Sequence, residues 1–410
     1  MSGVKKGVQA RIRELIPGAV YTHCKAHCLN LVLTHSCKLP IIRNMMDVVQ
    51  QIAFAFHFSA KRIDVFKEEL KENDEAKASM EKRQKLQTLC ETRWASRANA
   101  LFTFKASLEV IDDALHRLAN MSDTKARVYT CSIERFDFIL PLIVCEHVLQ
   151  ILAPLSEMLQ SKASDLIEAM KETRAVYAVI QNERNYGTVW DALYESAVQL
   201  AATIGVEPSS PRCAGHQLHC NNTPADSTEV YWKRSVFCPF YDHVLQELDD
   251  RLLGCSDRFM AQHLVPSNLG NLTDDMVMQI YQTFSADIPA QAAVFHTEIK
   301  RWIARWSLED PGNLPSTLQS TLHGINPNLY PNIFNVLSVL ISMPVSTASA
   351  ERSFSVMRRV KSYLRSTMTT ERLSGLAMLH AHKDMGVDTE AVVRDFAQGK
   401  SRRLVFLFNN

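Results

Sequence analysis

The chain has 410 residues, 46% of them apolar, enough for a large buried core and for two or three domains. Forty-five lysines and arginines against 44 acids leave a net charge of +1, which excludes a globally basic or acidic protein and leaves only local patches for phosphate. Ten scattered cysteines form no regular framework and read as reduced thiols inside a cell. The N-terminus lacks the apolar run of a signal peptide, and FILPLIVCEHVLQIL and IFNVLSVLISMPV read as too short or too interrupted to span a bilayer, so no membrane partner is expected.

Taken in chain order, Val8 to Leu15 reads as a short amphipathic helix stopped by Pro17-Gly18. AVYTHC, β-branched and aromatic, reads as a strand leading into a helix with Ala26, Leu29, Val32 and Leu33 on one face. Pro40 opens a longer helix in which Ile41, Met45, Val48, Ile52 and Phe56 recur at helical spacing, and Lys61 to Asn73 reads as a charged surface helix. KASMEKRQKLQTLC reads as loop and extended chain. From Ala98 to Trp306 the pattern is helical, with a kink or break at Pro154 and a loop over Gly205 to Ser227. The C-terminal block carries an apolar helix (Ile333 to Ile341), a turn at Pro344, a helix through Glu351 and another from Thr370 to His382. Mostly helix, with at most a few strands, is the expected balance.

Four constellations bear on chemistry. Cys24, His27 and Cys28 have part of a zinc spacing, but only His35 and Cys37 are near enough to complete it, so a structural role at a strand-to-helix junction is the better reading. Cys213, His216, His219 and Cys220 crowd into eight residues, too close to converge on one ion without an unusual loop. Trp94 between Arg93 and Arg97 could stack on an unpaired base while the arginines hold phosphates, although from spacing alone a buried tryptophan anchoring a helix start is the better reading. Basic pairs at Lys61-Arg62, Lys82-Arg83, Arg358-Arg359 and Arg402-Arg403 offer phosphate contacts or simply solvated surface. No Gly-rich phosphate loop, Gly-x-Ser-x-Gly elbow or His-Glu-x-x-His is present, so no small-molecule substrate is expected.

Together, several of these pieces resemble the hAT transposases and the host proteins derived from them. THCKAHCLNLVL is similar to the family's Cys-x-x-His motif followed by Leu-Asn-Leu, and ETRWASR to its Thr-Arg-Trp motif. LQSKASDLIEAM and EVYWKRSVFCPFYDHVLQELDDRL resemble its helical insertion. LYPNIFNVLSVLISMPVSTASAERSFSVMRRVKSYLRSTMTTERLSGLAMLHAH resembles its C-terminal dimerisation region. The zinc-finger MYM-type and protein-kinase-inhibitor-repressor group looks most alike. The resemblance covers nearly the whole chain.

It implies a mostly α chain, the remnant of a ribonuclease H-like α/β core interrupted by a large all-helical insertion. The corresponding segments are a truncated core over 1–97, the insertion over 98–310 and the dimerisation region over 311–400. By the same resemblance Glu351 is the third acid of an Asp-Asp-Glu site that holds two metal ions for phosphoryl transfer, magnesium in an intact relative. His27 matches a histidine near that site, and Trp94 a tryptophan that supports a flipped base. In the family register the second aspartate falls just before Met1 and the first lies further upstream. A lone carboxylate holds no pair of ions, so a non-catalytic protein without a cofactor is expected. The alternative is a fragment of an active metal-dependent transposase whose two aspartates lie upstream. The expected activity is self-association through the C-terminal region, with Ile333, Val336, Leu337, Leu340, Leu373 and Leu376 as its apolar stripe. DNA is the further expected partner, through Arg93, Trp94, Arg97, Arg358 and Arg359, and the expected location is the nucleus.

Overall fold

The computed structural model describes residues 7–16, 19, 21–81, 83–89, 94–161, 166–211, 225–254, 257–343, 346, 348–361 and 367–398, with backbone alone at 94–96, 257, 348–352 and 398. They fall into two compact units, 1–346 and 347–410. Among the described residues there is helix and no strand. The expected strand at AVYTHC is therefore corrected: the described part of that segment is irregular chain running into a helix, and its β-branched composition is overridden by its context.

The first unit begins with α1 (Val8–Leu15), α2 (Lys25–Ser36), α3 (Pro40–His57), α4 (Ala60–Glu72) and α5 (Asp74–Ser79). It continues with α6 (Trp94–Ala106), α7 (Leu108–Asn120), α8 (Thr124–Ile133), α9 (Phe136–Gln160), α10 (Leu166–Asn185) and α11 (Gly187–Thr203). α12 (Thr228–Trp232) and α13 (Cys238–Leu248) belong to one helical run that contains π-helical stretches at Lys233–Phe237 and Asp249–Leu253. Short 3-10 segments precede α14 (Asp274–Thr283), α15 (Ala292–Trp306), α16 (Leu318–Gly324) and α17 (Pro331–Ser342).

The core is organised around α9. Sixteen of its 25 residues are buried, and it packs against α2, α3, α6, α10 and α11. Pro141 and Pro154 both lie inside this helix, so of the kink or break expected at Pro154 the break does not occur. Each proline costs about 3 kcal/mol in a helix interior. More than a dozen buried apolar side chains at roughly 1.5–3 kcal/mol each outweigh that. The continuous helix is also long and apolar enough to cross a membrane, which corrects the expectation from its parts; 72% of its apolar window is buried inside the protein, as in a central core helix.

Buried charge is handled locally. Glu146 on α9, 1% exposed, accepts from Lys105 Nζ at 2.5 Å and from the Gln150 amide. Glu298 on α15, 5% exposed, reaches the N-terminus of α17, where it accepts from Asn332 Nδ2 at 2.5 Å and from the Ile333 backbone N–H at 2.9 Å. A carboxylate at that position satisfies an otherwise orphaned N–H and suits the positive end of the helix. α17 is thereby fixed to the helical body, with Ile333, Val336, Leu337 and Leu340 at 0% exposure.

The second unit contains α18 (Ala348–Val360), α19 (Thr370–Ala381) and α20 (Thr389–Gln398), with α18 packed on α19. Thr369 caps α19 by accepting from the Arg372 N–H at 3.4 Å. Apart from Val360, its described apolar residues are half-buried or exposed. Phe354 is 70% exposed, Met378 60% and Leu379 62%.

Candidate functional site

The Cys-x-x-His segment forms the start of α2. Cys24 is the N-cap residue, and its Sγ accepts the His27 backbone N–H at 3.4 Å, a weak sulfur version of the usual hydroxyl cap. The His27 ring is exposed. Lys25, the first residue of the helix, is 2% exposed. Its Nζ donates to the Leu252 carbonyl at 3.2 Å and lies 4.4 Å from the centroid of the Phe259 ring. The ammonium thus meets the negative end of the α13 helical run and an aromatic face, which together offset its burial.

Around this corner lies a cavity of about 270 Å³ lined in part by Tyr21, His23, Lys25, Asp250, Arg251 and Arg258. Asp250 lines it too, and Glu247 and Asp287 pair with the two guanidiniums, so the charges around it largely balance. The guanidiniums are pinned. Arg251 Nε donates to Glu247 at 2.5 Å, and its Nη2 lies 3.2 Å from His35 Nδ1. Arg258 pairs with Asp287 at 3.7 Å and lies over Phe284. His35 is therefore engaged by Arg251 and by Glu247 at 3.5 Å. Cys37 lies beside the buried Cys145, whose thiol is pushed well up by hydrogen bonding to Cys37 and by burial. Cys24, His27, His35 and Cys37 thus have separate structural surroundings. Cys213, His216, His219 and Cys220 lie outside the described residues.

Trp94 is the first residue of α6, where the backbone alone is described, and Arg93 lies outside the described residues. Arg97 is half-buried, with its positive charge acting on the Cys145 thiol. Arg62 of the Lys61-Arg62 pair is a structural cation, bonded to Asp123 at 2.9 and 3.1 Å. Arg358 and Arg359 are exposed in the last turn of α18, where cations suit the helix C-terminus. Glu351 lies on the backbone of the same helix, and its side chain is outside the described residues.

The expected self-association stripe is divided by the structure. Ile333, Val336, Leu337 and Leu340 are used inside the first unit, as buried core. Leu373 and Leu376 are half-buried on α19. The exposed apolar groups described in the second unit are Phe354, Met357, Met378 and Leu379, followed by Met385, Val387, Val392 and Phe396. Phe354 and Met357 sit three apart on α18, at a spacing that shares a helix face. That spacing was available in the sequence; its solvent exposure was not.

Residues 325–385 match the model of the hAT family C-terminal dimerisation region. The matched segment spans parts of both compact units, beginning before α17 and ending beyond α19. The chain is also similar to the 52 kDa repressor of the inhibitor of the protein kinase of Mus musculus, 27% identical over 96% of this chain and 53% of the relative. The protein of the same description from Homo sapiens is 27% identical over the same shares. The chain spans about half the length of these curated relatives.

Proposed function

We propose that this chain, which carries the C-terminal dimerisation region of the hAT family, acts as a transposase-derived protein that self-associates through α18 and α19 and performs no strand cleavage. The observation that carries the reading is the exposed apolar set Phe354, Met357, Met378 and Leu379. Apolar groups gathered on one small unit lose about 25 cal/mol per Å² on leaving water, and a second copy of the same surface covers them symmetrically. Sedimentation of the purified chain at micromolar concentration is expected to give a dimer or larger; a clean monomer rejects self-association.

In this reading 1–97 and 311–400 descend from a ribonuclease H-like core, and 98–310 from its insertion. Catalytic incompleteness rests on the acids available in residues 1–410. Glu351 matches the third acid of the Asp-Asp-Glu set, and Asp47 and Asp64, the early aspartates, lie on helices α3 and α4 rather than on strands. Glu351 by itself forms no two-metal clamp. A nicking assay with Mg²⁺ or Mn²⁺ is expected to be blank, and activity abolished by Glu351→Gln favours the fragment of an active transposase instead.

Association with DNA is the second part of the proposal. It is supported by the exposed Arg358 and Arg359. Arg93, Trp94 and Arg97 join it by family resemblance, and a nuclear location follows from it. Binding to duplex or single-stranded DNA should fall steeply with salt; no binding at low salt removes this part.

A further inference from the structure

Most buried acids of the first unit have partners. Glu146 has Lys105 and Gln150, and Glu298 has Asn332 and the α17 N-terminus. Asp112 does not. It is 6% exposed, and its Oδ1 is buried with no hydrogen-bond partner.

Asp112 and His116 stand four residues apart on α7, hence on one face. A tight turn at 121–123, with Ser122 in the left-handed region at φ 69°, sends the chain back along α7 as α8. Glu134, the C-cap residue of α8, thereby returns to the level of Asp112. His116 Nε2 lies 2.7 Å from Glu134 Oε1 and 3.7 Å from Asp112 Oδ2. The three ligand atoms all fall within 4.8 Å of one another. Donors on a tetrahedral ion with bonds of about 2.0–2.1 Å are about 3.3 Å apart, so the observed separations bracket the required one. His116 is 55% exposed along its side chain and Glu134 31%, which leaves an entry path and room for solvent ligands.

We propose that Asp112, His116 and Glu134 form a binding site for a divalent transition-metal ion of the Zn²⁺ class, with solvent completing the shell and the ion clipping α7 to α8. One imidazole nitrogen with two carboxylate oxygens disfavours Mg²⁺ and Ca²⁺, which take all-oxygen shells, and suits Zn²⁺ or Co²⁺. The local charge points the same way. The groups acting on Asp112 are Glu134, His116 and Asp113, and Glu109 and Glu69 act on Asp113. Arg117, the next cation along α7, is engaged by Glu68 at 2.7 Å and Glu69 at 2.8 Å. Burial, then the Glu134 charge, push the Asp112 carboxyl up to about 6, as expected where two acids crowd together without a full counter-charge. The hydrogen bond to Glu134 raises His116.

Sequence spacing hides this site, because its third ligand lies eighteen residues past the second and on another helix. The proposal is independent of self-association. Its test uses the full chain, chelated and then titrated with Co²⁺, beside His116→Gln and Asp112→Asn. The expected result is one more bound equivalent in the parent than in either variant, or an affinity at least roughly tenfold higher. That equivalent should show ligand-field bands without thiolate charge transfer, and Zn²⁺ should displace it. Equal stoichiometry and affinity in all three proteins overturns the site, as does a difference spectrum dominated by thiolate. His116 is exposed, so His116→Gln keeps the fold and remains informative even if the Asp112 variant does not.

Discussion

Replacing Glu298 by alanine should loosen the attachment of α17 to the helical body. In the native chain its carboxylate accepts from the Ile333 N–H at 2.9 Å and from Asn332 Nδ2 at 2.5 Å in a buried setting. Ile333 is the third residue of α17, where a backbone N–H has no partner within the helix. Truncation leaves that N–H and the amide without their acceptor. A hydrogen bond to a charged group contributes about 1.5–3 kcal/mol, and loss of an N-cap alone costs about 0.5–2 kcal/mol. Two such bonds do not add fully, so a loss of about 3–4 kcal/mol is expected for Glu298→Ala. Glu298→Gln keeps one acceptor oxygen and should lose about 1–2 kcal/mol. Urea unfolding followed by tryptophan fluorescence reads this directly, because Trp302 lies one turn along the same helix and is buried. A Glu298→Ala protein within 0.5 kcal/mol of the parent would refute the reasoning.

Three further outcomes follow from the packing. Lys105→Met leaves the Glu146 carboxylate buried beside Gln150 without its cation and should cost about 3–5 kcal/mol in the same assay, with the Lys105→Met, Glu146→Leu pair recovering much of it. Asp112 binds its proton more tightly folded than unfolded, so its contribution to stability falls as pH rises from about 4 through about 6; in chelator, Asp112→Asn should match the parent near pH 4 and exceed it by about 1–3 kcal/mol at pH 7.5, as read by urea unfolding. Leu337→Ala opens a cavity at a residue with 0% exposure and should cost about 2–5 kcal/mol by urea unfolding, while sedimentation below the new midpoint shows association unchanged.

The sequence made the helical class legible because apolar residues recur at helical spacing, but it placed some faces a residue off. In α3 the buried side runs through Ile42, Met45, Val49, Ile52 and Phe56, whereas Ile41 and Val48, read as part of it, are only half-buried. Pro154 read as a kink or break because propensity is local, and the burial that carries the helix through it along α9 is not. The described residues of AVYTHC are exposed or half-buried and have no described strand to pair with, so strand propensity alone does not make them one. Periodicity also cannot distinguish a stripe that faces the chain's own core from one that faces a partner. Ile333 to Leu340 and Phe354 with Met357 follow the same spacing rule, and only the fold separates them. The Asp112, His116 and Glu134 trio depends on the return of α8 along α7, which no local pattern announces.

Self-association through the exposed face of the second unit is tested most directly by sedimentation equilibrium of the full chain beside Phe354→Glu, Met378→Glu. Both residues are more than half exposed, so two buried charges are placed in the contact without disturbing the core. The account predicts a dimer or larger for the parent and a monomer with an unchanged unfolding midpoint for the double variant. An equal mass for the two proteins, at concentrations where the parent associates, would contradict it.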